Sequence, residues 1–435
     1  MMIKTAEPKL KHIEVPVLAR VEGEGALEVE VRDSRIAHLR LRIFEPPRLF
    51  EQFLVGHHYN EIPDLVARIC GICPVAYQMS GATAVEHLFG CDPGPWVRRM
   101  RRLFYCGEWI QSHALHIHLL AAPDLLGFDS APAMASRYGD ELRRGLRLQR
   151  LGNRIIELFG ARSVHPVGAR IGGFWKAPRP EQASSLAEEV ACAIPEAQAL
   201  VRWTASLPLP QRPQSFTCVA LRHPDEYPMI AERIVSDAGL DIPVDAFETH
   251  FSETQVPHST ALHGLHDGRP YLVGPLARLN LNLDRLHPKV STALEDSGIR
   301  FPSHDMHHSI LARAAEILQA LLDAAMILSD YEARDPAHVE VHPRAGTGRG
   351  ASEAPRGLLW HRYDLDDRGL VGYARIVPPT SQNQPRIEED LRITLTQLGL
   401  DKEEETLRRA GEIAIRNYDP CISCATHFLR LRLRR

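Results

Sequence analysis

The stretch Arg68-Ile69-Cys70-Gly71-Ile72-Cys73-Pro74 sets two thiols at C-x-x-C spacing, and Asp419-Pro420-Cys421-Ile422-Ser423-Cys424-Ala425-Thr426-His427 repeats that spacing at the far end of the chain. Two thiolates so separated bind one metal centre, and two such pairs form a four-sulfur set once the fold joins the ends. No internal repeat, low-complexity run or linker divides the sequence, which predicts one intertwined domain over residues 1–435.

Working outward from the first pair, Pro74 is a favoured first helical residue and places Cys73 at the cap of a helix running to Gly90. A thiol there feels the positive end of the helix dipole, so Cys73 is predisposed to ionise. Upstream, residues 48–57 and 63–70 read as helix pieces, with Glu51 on the first as an ordinary surface charge. Residues 26–31 and 36–43 alternate as a β-hairpin about Arg32-Asp33-Ser34-Arg35. Before it stands Arg20-Val21-Glu22-Gly23-Glu24-Gly25, whose glycines allow close backbone approach beside Glu22, by itself a loop carboxylate.

Downstream, residues 96–122 are helical in period and carry His113, His116 and His118 beside Ser112. Histidines at this spacing can bind metal, but hydrogen-bonded packing is the expected role. Residues 165–173 form a glycine-rich loop suited to close packing against another group or chain, 180–206 and 305–330 read as helices, and 242–286 as a small irregular β region. His304, His307 and His308 read as a polar helix entry. Ala354-Pro355-Arg356-Gly357 then leads into a hairpin of 358–363 and 370–377, followed by Pro378-Pro379-Thr380-Ser381-Gln382-Asn383 and helices over 388–398 and 402–417. The expected fold class is mainly α with small β parts (α+β): long central helices with an N-terminal and a C-terminal β-hairpin.

Of the 435 residues 44% are hydrophobic and 24% charged, and the net charge of -4 gives no electrostatic case for nucleic acid or an anionic membrane as partner. Residues 1–12 have no apolar signal region, and the most apolar helix candidate, 311–328, is broken by Arg313, Glu316 and Asp323. No membrane span is expected. Half of the eight cysteines fall in the two pairs, which favours reduced, metal-binding thiols in a cytoplasmic compartment. Cys91, Cys106, Cys192 and Cys218 are expected to be small buried apolar residues. A structural zinc site, an iron–sulfur cluster and a redox metal centre all suit four thiolates; zinc ribbons keep their pairs close, and a redox centre best explains recruitment of both ends.

In order, RVEGEG, RICGIC, Ala354-Pro355-Arg356-Gly357 and DPCISCATH resemble the large, catalytic subunit of nickel–iron hydrogenases, and within it the soluble, cytosolic, multisubunit type. The resemblance runs from Arg20 to His427 and implies the hydrogenase large-subunit fold and reversible heterolytic cleavage of H2. It implies Cys70 and Cys421 as terminal nickel thiolates, and Cys73 and Cys424 as thiolates bridging nickel to an iron with carbon monoxide and cyanide ligands. Glu22 matches the family's proton-transfer glutamate. Glu51, the carbonyl of Ile376 and His427 match the ligands of a magnesium, or iron, near the C-terminus. Arg356 matches the arginine over the open metal position, Thr380 a further hydroxyl donor, and Pro355 and Asp419 line the same canopy.

One departure is Ser112, where many membrane-bound relatives carry an aspartate before the helix histidine; this leaves position 112 without a canopy role. The resemblance further implies an iron–sulfur small subunit, flavin-containing subunits reducing NAD(P) or a deazaflavin, nickel-insertion proteins, and a maturation protease that removes residues 428–435. The competing readings are a metal-free scaffold subunit of a related respiratory complex and a four-cysteine zinc protein.

Overall fold

The computed structural model describes residues 10–426. The expected N-terminal hairpin is present as β2 (Gly25–Arg32) and β3 (Arg35–Ile43), and a further strand, β1 (Leu10–Val15), pairs antiparallel with β2. Ile13, Val15, Leu27, Val29, Val31, Leu39 and Leu41 line the buried face of this sheet.

The helix pieces before the first cysteine pair are single turns, α1 (Phe50–Leu54) and α2 (Ile62–Val66), shorter than the sequence suggests. Gly56, at φ +88, turns the chain after the first, and a tighter turn at Ala67–Ile69 leads from the second to an extended Cys70. Next, α3 (Pro74–Phe89) starts at Pro74 and stops at left-handed Gly90, as expected. The expected 96–122 helix is α4 (Gly94–Leu115), continued by a wider turn at His116–Ala121 and by α5 (Ala122–Leu125). Two long helices, α6 (Ala131–Gly160) and α7 (Pro180–Ala205), flank the short hairpin β4 (Ala169–Arg170) and β5 (Gly173–Phe174).

The middle of the chain holds a small sheet of β6 (Val219–Arg222), β7 (Arg233–Ser236) and β8 (Asp241–Pro243), then α8 (Phe247–His250) and the hairpin β9 (Phe251–Thr254) and β10 (His263–His266). The β region expected over 242–286 therefore ends early, because α9 (Pro275–Leu281) begins at Pro275 behind Gly274. After α10 (Pro288–Asp296) comes α11 (Ser309–Ser329), buried around most of its circumference, its charges Arg313, Glu316 and Asp323 included. Such a helix belongs at the centre of a large core. It packs against α4 and α7, while α4 also packs against α6. The α4–α6 crossing is tight: a Cβ at Gly152 would lie 2.5 Å from the Gly107 carbonyl oxygen.

The C-terminal hairpin is β12 (Gly357–Leu365) with β13 (Val371–Val377), and β11 (Gly346–Ala354) extends it to three strands packed on α3. The next helix, α12 (Pro379–Leu398), starts far before the expected residue 388. Its first turns are polar yet buried, so no apolar period announces them. Finally, α13 (Glu404–Asn417) delivers the second cysteine pair. Among the described residues no helix is long and apolar enough to cross a membrane. Cys106 and Cys218 are buried as expected, but Cys192 is exposed and Cys91 half-buried. Cys192 lies on the outward face of α7, whose inward positions are Leu186, Val190, Ala193 and Ala197, and Cys91 lies in the loop beyond α3.

Candidate metal centre

The two ends of the chain meet. Cys70 Sγ lies 3.5 Å from Cys421 Sγ and Cys73 Sγ 3.9 Å from Cys424 Sγ, and the four sulfurs are all within 4.8 Å of one another. All four residues are buried. The C-terminal pair is seated by backbone pairing: Glu22 and Cys421 form a parallel bridge, and the Ile422 N–H donates to the Glu22 carbonyl at 2.9 Å. The Cys421 N–H donates to Thr380 Oγ1 at 3.1 Å, from the first turn of α12. Arg48 clips both arms, its guanidinium donating to the carbonyls of Ile69 and Ser423, and its backbone N–H to Thr426.

The backbone amides around the first pair do not serve the sulfur that the helix cap suggests. The N–H groups of Ile72 and Cys73 point to Cys70 Sγ at 3.3 and 3.2 Å. Those of Val75 and Ala76, the next donors at the α3 N-terminus, are taken by the Glu108 carboxylate at 2.6 and 3.1 Å. Burial opposes ionisation of Cys70, yet hydrogen bonds from the other three thiols and the Arg356 charge outweigh it and hold its pKa well below the usual thiol value. At Cys73 a hydrogen bond with Cys421 favours the thiolate, but Cys424, Cys70 and burial together push the pKa well up. The predisposition expected at Cys73 thus belongs to Cys70. Burial also raises Cys421 and Cys424.

Glu22 stands against this set, with Cys421 Sγ donating to its Oε2 at 3.1 Å and the Ser423 N–H to the same oxygen at 3.1 Å. The Ser423 hydroxyl donates to its other oxygen. Pro355 and Arg356 form the two-residue turn between β11 and β12, closed by Ala354 paired with Gly357, whose φ of +127 suits glycine. From that turn Arg356 Nε donates to the Asp419 carbonyl at 2.7 Å and Nη2 to Asp419 Oδ1 at 3.1 Å. Burial disfavours the Arg356 charge, but Asp419 and the sulfurs raise its pKa and keep it cationic. Arg356 Nη1 and Asp419 Oδ2 are buried and without a hydrogen-bond partner among the described residues. A soft four-sulfur donor set beside such orphaned polar atoms fits a thiolate-bound metal centre with polar ligands of its own.

Glu51 and Ile376 are brought together as well, the Ile376 N–H donating to Glu51 Oε1 at 2.8 Å. His427 and the 428–435 tail lie outside the described residues. The α4 histidines are packing groups: His113 pairs with Glu316 at 2.9 Å, His116 with the Arg416 carbonyl at 2.8 Å and His118 with the Ala114 carbonyl at 2.9 Å. His307 and His308 bond Asp305 and Ser303 at the α11 entry. His304 lies beside Asp237 and Cys218, whose donor atoms come within 4.8 Å of one another.

The glycines of the 165–173 loop pack on their own chain: Cβ atoms at Gly172 and Gly173 would meet the carbonyls of Val339 and Ala337. Around that loop Val164, Val167 and Trp175 are exposed, and Val164 is the nearest side chain to Gly71 of the first pair. Sequence reasoning missed Arg48, Glu108 and Gln111. Arg48 carries no signal. Glu108 and Gln111 are polar residues within a long helix that tertiary packing buries on most sides.

The nickel-dependent hydrogenase family model matches residues 48–144 and 264–427. The chain is 33% identical to sulfhydrogenase 2 subunit alpha of Pyrococcus furiosus, over 96% of this chain and 100% of that protein. It is 29% identical to the NAD-reducing hydrogenase HoxS subunit beta of Cupriavidus necator, over 95% and 94%. The crystal structure of an NAD+-reducing NiFe hydrogenase in the H2-reduced state superposes with a TM-score of 0.86 at 27% identity, covering 96% of this chain and 99% of that one.

Proposed function

The chain belongs to the nickel-dependent hydrogenases as a catalytic large subunit, an oxidoreductase acting on H2, and from that premise we propose the following division of labour within it. Cys70, Cys73, Cys421 and Cys424 would hold a nickel–iron centre whose iron carries carbon monoxide and cyanide. The observation that carries this reading is the meeting of four buried sulfurs from opposite ends of the chain. When bound, the metal pair supplies the heterolytic cleavage of H2.

The protein's own residues then handle the proton and shape the pocket. Glu22 takes the proton from Cys421, its Oε2 being 3.1 Å from that sulfur, with Ser423 holding the carboxylate in place. Arg356 gives a fixed positive field beside the sulfurs, with Nε and Nη2 held by Asp419 and Nη1 left as the donor for a bound ligand; a lysine could not supply both the anchor and the donor in this planar arrangement. Pro355 fixes the turn that carries Arg356, and Thr380 holds the Cys421 backbone. Glu51, the Ile376 carbonyl and His427 would hold a magnesium or iron, with Glu51 and Ile376 already brought together. The chain acts as one domain over 1–435.

Electrons leave through an iron–sulfur small subunit, since this chain lacks a second cysteine cluster to carry them. Exposed Val164, beside Gly71, together with the exposed Val167 and Trp175 around the 165–173 loop, suits that docking face. Coupling to NAD draws support from the relatives named as NAD-reducing, and flavin subunits, NADP as an alternative carrier and a cytoplasmic setting complete the proposal. Infrared spectra of the purified complex should show metal-bound carbonyl and cyanide bands, with nickel and iron by elemental analysis; zinc without nickel would overturn the assignment.

Nickel-insertion proteins load the site, and a maturation protease removes 428–435. The intact mass of active enzyme should end at His427, and an active form retaining Arg435 would refute this.

A further inference from the structure

We propose that α4 positions the N-terminal cysteine pair through two side chains, Glu108 and Gln111, whose grip sets the unequal donor character of Cys70 and Cys73. The proposal rests on the reading of these cysteines as metal ligands. Glu108 and Gln111 are three residues apart and so share one face of α4. Glu108 accepts the Val75 and Ala76 N–H groups just after Cys73, while Gln111 Nε2 donates to the Ile72 carbonyl between the two cysteines at 2.6 Å. The C-x-x-C turn is therefore held on both sides of Cys73 by one rigid helix.

Glu108 is fully buried and forms no ion pair among the described residues. Burial pushes the Glu108 carboxyl well above the usual carboxylate range, against the pull of the two N–H bonds it accepts from the α3 N-terminus. Its two oxygens occupy the Val75 and Ala76 amides at the start of α3, so those donors are not available to Cys73 Sγ. The two amides inside the turn point instead to Cys70 Sγ. Cys70 is thereby the sulfur on which the backbone donors of the turn converge, and Cys73 is left to the neighbouring thiol of Cys424. Gln111 fixes the Ile72–Cys73 peptide unit, and with it the direction of the Cys73 N–H aimed at Cys70.

The test uses the full-length chain prepared without nickel and titrated with Co2+ under anaerobic conditions, following thiolate-to-cobalt charge-transfer absorption. Glu108→Gln places an amide donor against backbone donors, and Gln111→Met removes one hydrogen bond at nearly constant volume. Each is expected to weaken Co2+ binding ~10–100-fold, the range for lost ligand-supporting contacts, with circular dichroism unchanged. Wild-type affinity in either folded variant overturns the clamp. If Glu108→Gln fails to fold, Gln111→Met alone decides. A wild-type chain that shows no thiolate-to-cobalt band refutes the four-sulfur reading instead, so the two failures are distinguishable.

Discussion

Glu22→Gln should retain nickel, iron and their infrared bands while slowing H2/D2O exchange ~10²–10⁴-fold, the usual contribution of a positioned proton acceptor. The substitution keeps size and one accepting oxygen, and the pairing of residue 22 with the second cysteine pair runs through its backbone carbonyl, which the change leaves intact. What disappears is an oxygen 3.1 Å from Cys421 Sγ able to accept and release a proton. Glu22→Asp, with the chemistry kept and the reach shortened, should fall between the two. Exchange at the wild-type rate in Glu22→Gln would remove this carboxylate from the mechanism.

Arg278→Met should lower stability by about 3–5 kcal/mol in chemical unfolding, the cost of leaving buried partners of a charge uncompensated. Arg278 is fully buried and donates to both oxygens of Glu316 at 2.7 Å, to Glu353 at 2.7 Å and to the Ala354 carbonyl at 3.0 Å. Tyr227 and His113 also bond Glu316, at 2.7 and 2.9 Å. Burial opposes the Glu316 charge, but Arg278 and His113 hold its pKa at about 2. Its folded value lies below the unfolded one of 4.5, so its contribution is full above that pH and fades as pH falls toward 2. Arg278→Met should lose most of this acid-sensitive stability, and a loss under ~1 kcal/mol would show the network to be dispensable. Because Ala354 opens the Pro355-Arg356 turn, activity should fall alongside stability.

The metal centre was legible because its ligands sit in short contiguous strings whose spacing is itself chemical information. Two C-x-x-C pairs foretold that residues 70 and 421 would meet, and alternation foretold β2, β3, β12 and β13. Other features depend on neighbours remote in sequence. The start of α12 carries Thr380, Ser381, Gln382, Asn383 and Gln384, all buried, and Gln382 is bound by the Leu358 carbonyl and Tyr271. Polar residues held by such tertiary hydrogen bonds show no hydrophobic period. The same limit hid Glu108, whose partners are backbone amides, and misplaced the favoured thiolate. Reading Cys73 as a helix cap was correct, but nothing local shows that a second helix takes up the amides beyond it.

The contact between Cys70 and Cys421 closes a loop of 351 residues. For a flexible chain the length-dependent entropy of such a closure is about 5 kcal/mol, to be met by contacts that exist only when the intervening body is already formed. The four-sulfur set is thereby coupled to the whole fold, and destabilising the body between residues 70 and 421 is expected to loosen the site along with it.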